Sequence, residues 1–462
     1  MRKALEFPKV LKEQPFFDSL IKSCDGKTEV SDAFIFAGGM TALSGVLGRR
    51  IGIESFPSPL YPNTYTVLCG ESGGSRKSSI LSFTEELIDR SDPCVNTISG
   101  IATPEGLIRQ FTLPKGYAHG SAELEYPDWI LGMTDQKKRE AEERKFISSI
   151  GKEPYGIDKY LPMEKIMHML DKSSDHEGFR GVAFVDELAA LLKSSKSAHS
   201  EKILQIISEF FGKKKISNQT SGDPVQAFNP CLNILAAIPI EWLQTNMSVA
   251  DIMGGIGRRF QWVRDSRTDA QVPFPSPPDE NYFSKAVNVL GNMRKKFTKH
   301  TLFKWHENTE EIMKEWYGEF KVSLKNDDEK IMMKSIREGQ DTHIRKASLI
   351  FAALDPGINE SNALILPEHF ALALHWTDYI LESQLSIFEN YAETQSKADD
   401  QKILQWLDGK GFKSGREIYR GCGLGSEICK RKLESLCASG TIEYETSLSK
   451  NGAEVIVYQY QK

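Results

Sequence analysis

The chain has 462 residues, 26% of them charged and 40% hydrophobic, with a formal net charge of −5. That length holds about three domains, and the slight acidity argues against a protein that coats nucleic acid through bulk charge. Seven cysteines without C-x-x-C pairs read as reduced thiols of a cytoplasmic protein and indicate no thiolate metal site, while no stretch approaches the roughly eighteen apolar residues of a membrane span.

Residues 1–60 read as a helical region, such as a collar, with Phe34, Ile35, Leu43 and Val46 on one periodic face. It ends at the punctuation of Pro57, Pro59 and Pro62. Thr64 to Cys69 then has the branched and aromatic make-up of a buried strand, and Ser78 to Ile88 carries apolar residues at helical spacing. Between them lies Gly70-Glu71-Ser72-Gly73-Gly74-Ser75-Arg76-Lys77-Ser78-Ser79. Strand, glycine loop and helix in this order cradle a phosphate: backbone N–H groups and the helix dipole surround the anion, a lysine reaches its oxygens, and a hydroxyl ligates Mg²⁺. Lys77 and Ser78 take the last two roles, and Gly70, Gly73, Gly74, Ser75, Arg76 and Ser79 complete the expected phosphate contacts. The usual pattern G-x-x-x-x-G-K-[ST] would put glycine at 71 and 76, where this chain has Glu71 and Arg76.

A charged segment follows between His119 and Glu177, and its stretch Lys137 to Lys145 mixes both signs, as an exposed helix inserted into the core would. Gly181 to Val185 is a short apolar run that delivers Asp186 and Glu187 at its end, as a central strand of a parallel sheet does. Asp186 is then the expected Mg²⁺ ligand, and Glu187 the base that orients and deprotonates the attacking water. The alternative is a strand followed by a solvated acidic helix cap. Lys213, Lys214 and Lys215 stand where a ring-shaped motor would grip the phosphates of a single strand, or else form a solvated turn. Pro230 to Pro239 reads as another buried strand in which Asn233 is either a sensor of the γ-phosphate or an amide satisfied by neighbouring backbone. Arg258 and Arg259 follow a glycine-rich turn, and either one is a candidate arginine finger acting on a neighbouring subunit's nucleotide.

After Pro273, Pro275, Pro277 and Pro278, residues 280–395 read as a helical bundle serving as a lid. In it Arg345 stands at the motif position where related ATPases place a nucleotide-sensing arginine, or else is one half of an ion pair on an amphipathic helix. His369 and His375 read as packing or surface residues. Three helices and two β-rich runs around Asn451-Gly452 close the chain in a winged-helix pattern. Lys430, Arg431 and Lys432 on its third helix would meet DNA phosphates, unless that helix contacts a protein instead. The expected divisions are 1–60, 61–270, 271–396 and 397–462.

Several blocks together resemble a family: the P-loop ATPases of prophages, plasmids and other mobile elements, which carry a G-x-S-G-x-R-K-S type loop and are often linked to primases. Besides Gly70 to Ser79 and Val185-Asp186-Glu187, they include Ala42 to Arg50, Tyr61 to Tyr65, Thr103 to Leu107, Gly257 to Phe260 and His343 to Ala347. The resemblance covers about residues 30 to 395. It implies an α/β P-loop NTPase core with a RecA/AAA+-like parallel sheet, an N-terminal helical region, a helical lid and a C-terminal winged helix. It further implies ATP and Mg²⁺ as cofactors, a homo-oligomeric ring, expected to be a hexamer, and single-stranded or forked DNA as partner. Priming would need a separate primase, since this chain has no primase signature. The alternative function is a nucleotide-driven assembly switch in defence or regulation.

Overall fold

A computed structural model of the chain describes residues 5–71, 75–112, 138, 179–194, 202–218, 225–247, 251–265, 271–326, 331–388, 391–448 and 454–460. Gly73, Gly74, nearly all of the charged segment and Asn451-Gly452 lie outside the described residues. The chain divides into two compact units, Met1–Ile387 and Phe388–Lys462. The first holds strands β1 (Ile51–Ile53), β2 (Tyr65–Gly70), β3 (Asn96–Ser99), β4 (Arg180–Val185), β5 (Lys215–Asn218), β6 (Val225–Phe228), β7 (Cys231–Pro239), β8 (Phe260–Arg264), β9 (Thr301–Trp305) and β10 (Leu364–Ile365).

Five of these strands form one parallel sheet in the order β3-β4-β7-β2-β8. Its central strands are apolar along nearly their whole length because both faces are covered. Alternation then sorts the side chains. Leu68, Val182, Phe184, Leu235, Ala237 and Val263 pack into a single cluster with helices Asp32–Leu47, Lys77–Ser91 and Glu280–Lys296. On the other face Tyr65 donates its hydroxyl to Ile207 O at 2.9 Å, from helix Ile203–Phe210, and its ring meets Phe211.

Helix Asp32–Leu47 departs from the one-faced helix expected from the sequence, since every residue from Ala33 to Leu47 is buried. A helix that is apolar all round belongs inside a core, and its small residues allow close approach: a Cβ on Gly45 would lie 2.6 Å from Val182 Cγ2. The N-terminal region is therefore a layer of the sheet's own core rather than a separate piece. Arg49, just beyond this helix, is buried, donating from Nε to Pro230 O and from Nη2 to Lys213 O.

The expected lid is not purely helical. Thr301-Leu302-Phe303-Lys304-Trp305 forms β9, flanked in parallel by β1 and β10. Its partners lie far away in sequence, so the short alternating run was hidden among helical neighbours. Helices Glu280–Lys296, Glu307–Asn326, Ile331–Arg337, Gln340–Leu354 and Pro367–Phe388 accompany these strands in this region.

In the second unit, helices Tyr391–Leu407, Gly415–Cys422 and Ser426–Ala438 enclose Ile403, Leu407, Ile418, Cys429, Leu433 and Leu436. Strands β11 (Lys413–Ser414), β12 (Glu443–Leu448) and β13 (Glu454–Gln459) form an antiparallel sheet in the order β11-β13-β12. Ser414 and Glu417 cap the middle helix reciprocally. No helix among the described residues is long and apolar enough to cross a membrane.

Candidate functional site

Neighbouring strands β2 and β7 send the chain to opposite edges of the sheet, β2 toward β3 and β7 toward β8. Such a reversal leaves a crevice at the carboxyl ends of parallel strands, where ligands of open α/β sheets bind. The glycine loop leaves β2 at this crevice, since Gly70 pairs with Pro239 at the end of β7. Asp186 follows the end of β4, one strand further along. Its parity matches Val182 and Phe184, so it emerges on the face covered by helix Lys77–Ser91. There Ser78 Oγ donates to Asp186 Oδ1 at 2.6 Å, joining two sequence blocks that are 108 residues apart.

Lys77 turns inward. Its Nζ donates to Gly70 O at 3.2 Å, Glu71 O at 2.8 Å and Ser75 Oγ at 2.7 Å, while Ser75 Oγ donates to Glu71 O. Burial lowers the ammonium's pKa below the ordinary lysine value, opposed by the Cys69 thiol and the carboxylates of Asp265, Glu241 and Asp186. A Cβ on Gly70 would fall 2.6 Å from Ser75 Cβ, so the turn closes only around glycine. Arg76 caps the helix in the left-handed region, at φ 47° and ψ 33°. This is the position at which the usual pattern carries glycine, and a side chain there costs about 1 kcal/mol. Arg76 is held by Glu29, whose Oε2 accepts from Nε at 3.3 Å and from Nη2 at 3.2 Å.

Lys77, Ser78 and Ser79 face Asp186 and Glu187 across a cavity of about 410 Å³, with Trp242 at its rim. The Ser78 hydroxyl and Asp186 carboxylate are hard oxygen donors of the kind that a magnesium ion takes. One other group of described residues, Asp355, Glu368 and His369, brings possible metal-binding atoms within 4.8 Å. Both nitrogens of His369 are already engaged, one with Asp355 Oδ2 at 2.9 Å and one accepting from Leu366 N at 3.0 Å, so it acts as a buried brace.

The remaining predicted residues lie elsewhere. Asn233 is the third residue of β7 and pairs with Val182, at the end of the sheet away from the loop. Its side chain accepts from Thr64 N at 2.9 Å and donates to Gly181 O at 3.3 Å. It is a buried amide bracing three strands, and the sensor assignment is corrected. Arg345 pairs with Asp341 at 2.7 Å on its own helix and does not line the cavity. That helix docks beside the amino end of β2, where buried Lys346 bonds Asn63 O at 2.8 Å and Asn63 Oδ1 at 2.9 Å. The nucleotide-sensing assignment of Arg345 within its own chain is corrected accordingly.

Arg258 and Arg259 precede β8, whose first residue pairs with Tyr65, so they too stand at the amino end of the sheet. Arg259 Nη1 donates to Gly255 O at 3.1 Å, and Arg258 is exposed. Burial, and next to it Arg258, lowers the pKa of Arg259. Lys213, Lys214 and Lys215 are exposed at the base of the antiparallel β5–β6 hairpin. Lys213 pairs with Glu209 at 3.0 Å, and Lys215 lies over the Phe228 ring. In the second unit Lys430 and Arg431 are exposed, whereas Lys432 is partly buried and pairs with Asp400 of a neighbouring helix at 3.0 Å.

Three residues near Lys77 or its cavity escaped the sequence reading: Asp265 and Glu241, whose charges act on Lys77, and Trp242, which lines the cavity. Asp265 extends β8 by one residue, its N–H donating to Cys69 O at 3.1 Å, and burial raises its pKa. Glu241 and Trp242 lie in the first turn of the helix that follows β7. All three are the first polar or aromatic residues beyond a parallel strand's carboxyl end, and that position is the signal that would have found them. The sequence matches no protein-family model and no curated protein.

Proposed function

We propose that the chain is an ATP- and Mg²⁺-dependent motor ATPase of the P-loop type that forms a ring and translocates on or unwinds DNA. The observation that carries this reading is the bond between Ser78 Oγ and Asp186 Oδ1, which brings the helix-opening hydroxyl and the strand-ending acid together beside Lys77. In it Lys77 pairs with β- and γ-phosphate oxygens once its internal acceptors are exchanged for them. Ser78 and Asp186 would hold the magnesium ion, which supplies charge neutralisation between the terminal phosphates. Glu187, on the same cavity, orients the water and accepts its proton.

The arginines at the amino end of the sheet suit a ring. Arg258 and Arg259 lie away from their own chain's Lys77, so a finger from this turn would complete a neighbour's site. Motion of the β5–β6 hairpin, with its basal lysines, would then follow hydrolysis on the strand in the pore. Opening one base-pair step costs about 1.4 kcal/mol, which such coupling must supply. The second unit is read as a winged helix, with Lys430 and Arg431 toward nucleic acid.

A second reading has its own support. On one face of β12 and β13, Tyr444, Leu448 and Ile456 are 63%, 71% and 48% exposed. A nucleotide-driven assembly switch would use this apolar face on a protein partner. The deciding experiment measures ATP hydrolysis with and without single-stranded DNA, together with displacement of an annealed strand. A motor shows both, and Glu187→Gln retains ATP binding while losing turnover. Normal turnover by Glu187→Gln would remove the base assignment, and DNA-independent hydrolysis without displacement would favour the switch.

A further inference from the structure

Ser79 lines two cavities. The second, of about 420 Å³, runs from Ser79 along helix Lys77–Ser91 past Ser82 and Phe83 to Glu86, one face at helical spacing. Its other walls are the segments around Val30 and around Pro275 and Pro278. These walls are tied together: Ser276 N donates to Lys27 O at 3.1 Å, and Asp279 N donates to Ser23 O at 2.7 Å. Glu29 joins them to the glycine loop, accepting from Val272 N on one oxygen and from Arg76 on the other.

We propose that this cleft receives the nucleoside, base and ribose, of the nucleotide whose phosphates occupy the first cavity; the inference rests on the phosphate assignment above. The direction of the ligand follows from charge. Asp186 and Glu187 line the phosphate cavity, where the metal and the water belong, so the uncharged part of the ligand must leave away from these acids. Residues 77, 78 and 79 open the helix in sequence, and Ser79 is the one that also borders the second cavity. The walls there suit a flat ring: Val30, Ile80, Phe83, Pro275 and Pro278 are apolar. Its volume lies within the range of about 300–1,000 Å³ found for small-molecule pockets. Phe83 is braced from behind by Phe283, the ring centroids 5.2 Å apart, which holds that wall in place.

The arrangement also makes the N-terminal segment a sensor of the bound nucleoside. A ring seated between Val30 and Pro275 would bear on the strand of chain that holds Arg76 through Glu29, so occupancy of the cleft would be felt at the residue before Lys77.

The test compares two probes by calorimetry in magnesium buffer, ATP and inorganic tripolyphosphate, on the full chain and on Ser82→Trp and Ser276→Trp. Both serines are exposed, so the bulky side chain fills the cleft without entering the core. The expected result is ATP binding weakened at least about tenfold in both variants, with tripolyphosphate unchanged within about twofold. Unchanged ATP affinity in both variants overturns the cleft, and so does equal weakening of ATP and tripolyphosphate. Wild-type protein that binds tripolyphosphate as tightly as ATP overturns the nucleoside site alone, whereas wild-type protein that binds neither overturns the phosphate assignment and this site with it.

Discussion

Replacing Lys77 with methionine separates what its ammonium does for the fold from what it does for a ligand. In the free chain Nζ satisfies three oxygens at 2.7 to 3.2 Å. It does so where burial lowers its pKa, so the desolvation of the charge offsets much of what those bonds contribute. A side chain of similar length without charge should therefore change unfolding free energy by less than about 1.5 kcal/mol. Binding is another matter. Two charge-assisted contacts to phosphate oxygens at roughly 1.5–3 kcal/mol each amount to about two to four powers of ten in Kd. With ATP·Mg²⁺ at one hundred times the wild-type Kd, the wild type gains about 2.7 kcal/mol in a urea titration. Lys77→Met, with Kd raised at least about a hundredfold, gains about 0.4 kcal/mol or less under the same conditions. A variant that gains the full amount would refute the placement of the triphosphate.

Arg76→Gly removes left-handed strain of about 1 kcal/mol and an exposed ion pair of similar or smaller worth, so its midpoint in urea should stay near wild type. Arg76→Ala keeps the strain and loses the pair, so it should fall about 1 kcal/mol below Arg76→Gly, and equal stability of the two variants would show that the left-handed backbone carries no strain. If the arginine turn serves a neighbour, Arg258→Ala or Arg259→Ala slows hydrolysis by on the order of 10³ or more. Mixing the inactive variant with Glu187→Gln should then restore part of the turnover, and no recovery in mixed rings would rule out a finger acting between subunits. Burial lowers the pKa of Lys346 from 10.5 to about 7 in the folded chain. Between those values the unfolded chain binds more protons, so stability rises with pH across this window and levels off below about pH 7. Lys346→Met should lack that rise when urea midpoints are compared from about pH 6 to about pH 10, and parallel curves would assign it to other groups.

What the sequence disclosed was mainly local. The strand, loop and helix from Tyr65 to Ser91 announce themselves by a change of period, and the run ending at Val185 announces its acids by contrast. Asn233 misled because a polar residue in an apolar run draws attention regardless of where in the strand it falls. The direction of a parallel strand would have pointed to the residues after Pro239 instead. The site of Arg345 was not legible, since its helix is placed by Lys346 reaching Asn63 across 283 residues of chain. β9 was missed for a related reason: five residues make a strand only because β1 and β10 flank them. The left-handed backbone at Arg76 falls at the position where the common pattern carries glycine, and only coordinates reveal it.

The burial of helix Asp32–Leu47 on all sides has a consequence for how this molecule is inherited and handled. It is a keystone: a fragment started at the proline-rich boundary near Pro62 would leave the sheet with one bare apolar flank and would also lose the Arg49 side chain that pins the approaches to β5 and β7. Such a fragment should aggregate rather than report on catalysis. The segment ahead of it is bound into the same core through Phe7, Leu11, Phe17 and Leu20, so the first fifty residues must travel with the glycine loop as one unit.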